Sequence, residues 1–117
     1  MKFNPNCVRD ILLECEKSIE PYAELYIEET DVPASLSKYS WFELLYHLEQ
    51  CKASKLFTEG SYMDQIGGYR ISNLSPAGHD LLNKIRDNKS FKKALKKGAE
   101  SLTKLIELIL NAAQILQ

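Results

Sequence analysis

Apolar residues recur at Val8, Ile11, Leu12, Cys15 and Ile19, the three- and four-residue spacing that lays one stripe along a helix. The preceding "KFNPN" predicts the start of that helix. Asn4 is a cap, Pro5 suits the first helical position, and Phe3 can staple onto Val8. Pro21 ends it. The period then changes. In "YAELYIEE", Ala23, Leu25 and Ile27 alternate with Glu24, Tyr26 and Glu28, the pattern of a half-buried strand. "TDVPASLSKY" predicts a turn holding a short helical piece after Pro33.

A second long helix is expected in "SWFELLYHLEQCKASKLF", capped by Ser40, with Trp41, Leu44, Leu45, Leu48 and Cys51 as its inner face. Two short strands follow, "LFTEGSYMD" and "YRISNLS", joined around "QIGG", where Gly67 and Gly68 are expected to supply positive φ angles for a hairpin. In "LSPAGHDLLNKI", Ser75 is a cap, Pro76 fits the first turn, and Leu81, Leu82 and Ile85 form a buried face. Gly78 predicts a close approach of the strand or the first helix, and His79 could bond a loop carbonyl. A last amphipathic stripe runs through Phe91, Ala94, Leu95, Gly98, Leu102, Leu105, Ile106, Ile109, Ala113 and Leu116, with Gly98 a point of bending or breakage.

These elements predict an α+β, mostly helical chain: a winged helix-turn-helix with a small antiparallel β wing and an added C-terminal amphipathic helix. Residues 1–88 would form the winged-helix domain, and 89–117 a helical extension packed on that domain or on a dimer mate.

Three stretches carry a resemblance: "FNPNCVRDILLECE", "YSWFELLYHLEQCKASKLF" and "LSPAGHDLLNKIRDNKSFKKALKK". In this order they resemble the signature blocks of a bacterial and prophage family of winged-helix domains of unknown function. Its members open with a VRDILL-type helix, carry a YHL-type helix, then a wing, a Ser/Thr-x-x-Gly-His helix and an aromatic-lysine segment. The similarity runs from Phe3 to Lys97. It implies a non-enzymatic winged helix and assigns no molecular role. The chain departs from the family at "QCKASKLF", where members have a "QLxxAGLI"-like ending. Cys51 and Ser54 replace the usual Leu and Gly there, which predicts a different helix-ending turn.

Composition narrows the function classes. At 117 residues the chain can bury a core without staples, and a net charge of −1 provides no global attraction to nucleic acid or membrane. Charge is unevenly spread: eight acids and only Lys17 as a base between Asp10 and Asp31, seven bases and only Asp87 as an acid between Lys84 and Lys97. Cys7, Cys15 and Cys51 form neither a disulfide framework nor a zinc pattern and read as buried reduced thiols of a cytoplasmic protein. No apolar run is long enough for a bilayer, and no metal or small-molecule cofactor is expected.

A winged helix suggests DNA binding, but a fold alone does not establish it. Contacts to double-stranded DNA would fall to Ser40, Tyr46, His47 and Gln50 on the second helix, with Lys38 beside it and Tyr62 and Arg70 on the hairpin. The outward positions there also include Phe42, Glu43 and Glu49, and the carboxylates would repel phosphate. The strongest basic cluster is Lys89, Lys92, Lys93, Lys96 and Lys97. It could add phosphate contacts, bind an acidic partner, or simply be a solvated helix face. Leu102, Leu105, Ile106, Ile109, Ala113 and Leu116 either pack against the first helix or form a dimer interface. The expected role is thus a DNA-associated regulatory or accessory module. The alternative is a protein-interaction module, self-associating or partner-binding.

Catalysis is not expected. Glu43, His47 and Cys51 lie four residues apart, yet a mid-helix Cys has no free amides to stabilise an oxyanion. They read as a core thiol with a partly exposed His47. His79 and Asp80 are adjacent on a helix and point about 100° apart, so they do not form a dyad.

Overall fold

The structure is a computed structural model and describes residues 1–18, 24–63 and 67–111. Helix α1 (Pro5–Ser18) starts where its signals place it: the Asn4 side-chain oxygen accepts from the Asn6 amide at 3.0 Å. Cys7, Val8, Ile11, Leu12 and Cys15 form its buried face. Glu14 is buried too, accepting hydrogen bonds from Ser18 and Ser35 at 2.7 and 2.8 Å. Phe3 is half-buried against the core, its ring centroid 5.7 Å from that of His47.

Strand β1 (Leu25–Glu28) buries Leu25 and Ile27 and turns Tyr26 outward, as the alternation requires. A single 3-10 turn at Ala34–Leu36 follows Pro33. Helix α2 (Trp41–Ala53) is capped by Ser40, whose hydroxyl accepts from the Glu43 amide. Strands β2 (Phe57–Met63) and β3 (Gly68–Leu74) pair antiparallel, and β1 pairs antiparallel with the other edge of β3, giving the order β1-β3-β2. The β2–β3 register shifts around Glu59. Of the two hairpin glycines, only Gly67 has a positive φ, +60°. Gly68 is required for another reason: a Cβ there would lie 3.0 Å from the Ile27 carbonyl oxygen of the adjoining strand.

Helices α3 (Pro76–Ile85) and α4 (Asn88–Lys96) come next. The C-terminal stripe breaks at Gly98, the point of bending or breakage expected from sequence. Gly98, at φ +82°, ends α4, and the chain restarts at the Ser101 cap as α5 (Leu102–Ile106), which widens into a π turn at Glu107–Asn111. Helix α1 packs against α2, α3 and β3, while α4 and the π turn pack on α3. One buried cluster spans all of this. It includes Phe91, Ala94, Leu102, Leu105 and Ile109 together with the α1, α2, α3 and sheet residues. Readings that involve Ile19, Pro21, Ala23, Asp64, Ala113 and Leu116 fall outside the described residues.

The end of α2 departs from expectation in an informative way. The Leu56 amide bonds back to the Cys51 carbonyl and the Lys55 amide to that of Lys52, the paired bonds of a left-handed helix terminus. The residue in the left-handed conformation is Lys55, φ 61°, one position beyond Ser54 and the place where the Gly of the "QLxxAGLI"-like ending falls when the two stretches are aligned. Such a conformation costs a residue with a Cβ about 1–2 kcal/mol. Immediately downstream, Ser75 caps α3 by accepting from the Gly78 amide at 3.0 Å. Gly78 does make a close approach, but to Leu56 between α2 and β2 rather than to a strand or α1: the Leu56 carbonyl oxygen would lie 2.2 Å from a Cβ on that glycine.

Two substitutions test this junction in opposite directions, with urea unfolding as the readout. Gly78→Ala should destabilise by about 3 kcal/mol, since backbone rather than a flexible side chain must move. Lys55→Gly should stabilise by up to about 1 kcal/mol, the strain relieved less the added freedom of the unfolded chain. A neutral Gly78→Ala or a destabilising Lys55→Gly would contradict the geometry.

Candidate functional site

The second helix holds most of the residues that sequence nominates for contact with DNA, and the fold uses several of them internally. His47 is 0% exposed. Its Nε2 lies 2.8 Å from the Asn4 amide and its Nδ1 2.7 Å from the Glu43 carbonyl oxygen. A backbone amide can only donate, so Nε2 accepts and the proton resides on Nδ1, which donates to Glu43. The ring is a neutral latch between the start of α1 and the first turn of α2. It is neither a base reader nor partly exposed, contrary to expectation. Tyr46 stands edge-on to it, with centroids 5.0 Å apart. The hydroxyl of Ser40 is occupied by its capping bond, and Gln50 is half-buried.

Two of the nominated cations around α2 and the hairpin, Lys38 and Arg70, are paired. Lys38 lies 3.1 Å from Asp10, whose carboxylate also accepts from the Tyr39 hydroxyl at 2.6 Å. Burial, and then that bond, push the Tyr39 phenol upward. Arg70 bonds Glu24 at 2.9 Å, Ser72 at 3.2 Å and Glu59 at 3.4 Å, and Glu24 foremost raises its pKa. A guanidinium held between two carboxylates has little left for phosphate. An open, shallow groove of about 450 Å³ runs between the end of α2 and the hairpin, lined by Lys52, Lys55, Thr58, Ser61 and Arg70 among others. Lys52 and Lys55 were not among the candidates that sequence singled out. Tyr62 is exposed. Tyr69, beneath Gly60, is fully buried, and its hydroxyl has no hydrogen-bond partner among the described residues.

Helix α4 is different. Phe91 and Ala94 are buried, whereas Lys89, Lys92, Lys93, Lys96 and Lys97 are all exposed. None of these lysines forms an ion pair among the described residues. The helix is anchored by the Asp87 cap and by Arg9, whose guanidinium lies 5.1 Å from the Phe91 ring centroid and 2.7 Å from the Asn88 side-chain oxygen. Of the dimer-interface candidates, Leu102, Leu105 and Ile109 are buried in the chain's own core, so they are not presented to a second copy. Ile106 is half-buried against the same core.

The three cysteines are buried and unbonded. Burial pushes the Cys7 and Cys15 thiols up to about 12 and Cys51 well upward, away from the thiolate a nucleophile requires. Both His47 nitrogens are engaged elsewhere, so the Glu43–His47–Cys51 spacing does not become a Cys–His pair. His79 and Asp80 are exposed, and no hydrogen bond to a loop carbonyl is formed by the His79 ring among the described residues. Among those residues no cluster of His, Cys, Asp and Glu could hold a metal, and no helix is long and apolar enough to cross a membrane.

Over residues 2–103 the chain matches the model of a family described as "Hypothetical protein (DUF2513)", and it belongs to that family. No curated protein and no solved structure matches it.

The latch yields a sharp expectation. His47→Leu should lower stability by about 2 kcal/mol, because the partly buried Asn4 amide loses its acceptor and the link between α1 and α2 is cut. Thermal unfolding of the variant measures it. A melting temperature equal to that of the wild type would mean that the imidazole is not structural.

Proposed function

We propose that this family member is a non-enzymatic winged helix of bacterial or prophage type that associates with DNA as a regulatory or accessory module. We further propose that α4, rather than α2, supplies the phosphate contacts. Support for the winged helix comes from the order α1, β1, 3-10 turn, α2, β2, β3 and from the sheet order β1-β3-β2, with a hairpin as the wing. The three buried thiols fit a reducing, cytoplasmic setting.

The observation that carries the DNA reading is the lysine face of α4. Four exposed ammonium groups of a nine-residue helix that contains no acid, and a fifth on its C-cap Lys97, lie on one side. Ammonium groups act on phosphates as point charges, and neutralising phosphates releases counterions without reading sequence. The expected mode is therefore sequence-independent attachment to the backbone. A major-groove approach by residues 40–54, the default for this fold, has little support: His47 is buried, Ser40 is used as a cap, and Glu43 and Glu49 face outward.

The test is a salt titration of binding to random-sequence duplex, followed by fluorescence anisotropy. Five phosphate contacts predict a slope of log affinity against log salt of about −4.5. Exchanging Lys92, Lys93, Lys96 and Lys97 for Gln should flatten it by about 3.6, while Tyr46→Ala and Gln50→Ala leave it unchanged. Absence of binding at low salt, or a slope indifferent to the four lysines, would sink the proposal.

A further inference from the structure

Strand β2 lies at an edge of the sheet. The order β1-β3-β2 leaves one side of it without a neighbouring strand, so alternate residues of Phe57–Met63 direct backbone N–H and C=O groups away from β3. Among the described residues, the backbone of this strand makes no hydrogen bond beyond the β3 ladder. Open edges are ordinarily blunted by shortness, proline or charge. Strand β2 has seven residues, no proline, and a single charge at Glu59, where the register shifts. The groove beside the end of α2 follows this strand, because five consecutive residues, 57–61, line it. They offer about 17 Å of extended backbone, at about 3.4 Å per residue. The charged residues of the lining are Lys52, Lys55, Arg70 and Glu59. Arg70 is held by Glu24 and Glu59, so the charges left free are the two lysines. Both are exposed, and neither forms an ion pair among the described residues.

We infer that the groove between α2 and β2 docks an extended acidic segment of a partner protein. The segment adds a fourth strand at the β2 edge, and Lys52 and Lys55 pair with its carboxylates. Strand addition between an edge strand and a helix is an established mode of peptide recognition: the ladder supplies affinity and the flanking side chains supply selection. Glu49, one turn before Lys52 on α2, is not part of the lining and leaves the selection to the two lysines. A nucleic acid matches the lysines but not the strand. Phosphate oxygens only accept hydrogen bonds, whereas a strand edge presents carbonyls as well as amides, and a peptide backbone answers both. A second copy fits less well, since joining its β1 edge to β2 is a head-to-tail contact that repeats without closing. The inference does not rest on the α4 reading.

The probe is a labelled hexapeptide of alternating threonine and glutamate, followed by fluorescence anisotropy with the full chain. Its controls are a threonine–lysine hexapeptide and the acidic peptide with every internal amide N-methylated, which keeps the charge but cannot form a ladder. Saturable binding is expected for the acidic peptide alone, with nitrogen–proton NMR shifts concentrated on the amides of 57–61. Lys52→Glu should weaken it about tenfold by turning an attraction into a repulsion. Should that variant fail to fold, Lys52→Gln replaces it, with an expected loss of about threefold. Exchanging Lys92, Lys93, Lys96 and Lys97 for Gln should leave the affinity unchanged, which separates this groove from the α4 face. The inference is overturned by absence of binding, by equal binding of either control peptide, or by a loss that follows the α4 lysines. Displacement of the peptide by an oligothymidylate of equal charge would make the occupant a nucleic acid and overturn it too. So would sedimentation showing that the chain associates with itself through this edge, because the occupant would then be a second copy.

Discussion

The carbonyl of Leu56 is the point on which the arrangement of α2, the hairpin and α3 depends. Its residue's amide closes the end of α2 on Cys51, and its oxygen accepts from the Ser75 amide at 2.9 Å. One residue earlier, the Lys55 oxygen accepts from the Ser75 hydroxyl at 2.6 Å, and that hydroxyl in turn accepts from the Gly78 amide. In this small space α2 stops, β2 starts, β3 stops and α3 starts. The first turn of α3 can come this close to Leu56 only because position 78 has no Cβ. The same network explains how Lys55 is held left-handed: a strained backbone persists where its surroundings over-determine it. With the end of α2 fixed here and its start fixed by the His47 bond to Asn4, the helix cannot roll, and its Phe42 side stays outward.

Charge is then sorted by pairing. Lys38, Arg70 and Arg86 each bond a carboxylate, respectively Asp10, Glu24 and Glu16. Exposed pairs of this kind stabilise by only about 0–1 kcal/mol each, so their main effect is to neutralise these three cations. The α4 lysines lack such partners among the described residues. A chain with a net charge of −1 thereby carries a concentrated positive face at α4.

How much of this was legible in sequence follows from the range of each interaction. Caps and turns are local, and Asn4, Ser40, Ser75 and Gly67 do what their neighbours dictate. Alternation placed Leu25 and Ile27 inside correctly, because β1 has one buried face. His47 was misjudged because its partner, Asn4, is 43 residues away and nothing in the helical spacing reveals it. The pairing of Arg70 is hidden for the same reason, its main partner Glu24 being 46 residues distant. The stripe at Leu102, Leu105 and Ile109 shows the limit of periodicity. It says that a face is buried, but not whether the chain or a second copy buries it. At the α4 lysines and Phe42, by contrast, exposure followed directly from helical phase.

Helix α4 shows that intrinsic preference does not account for a surface like this. Lys89–Lys93, Lys92–Lys96 and Lys93–Lys97 are like-charge pairs four residues apart, each unfavourable by about 0.2–0.5 kcal/mol. Gly98 ends the helix within three turns, too short to be stable alone. What holds it is tertiary. Phe91 and Ala94 are buried, Arg9 lies over the Phe91 ring, and Asp87 caps two donors, the Lys89 amide and the Ser90 hydroxyl. Burial of one Phe side chain contributes about 1.5–3 kcal/mol, enough to exceed the repulsion among the lysines. The repulsion nevertheless remains, and it is largest at low salt, where screening is weakest. A polyanion laid along the face would relieve it, so the feature that destabilises α4 in isolation is the one that would favour binding.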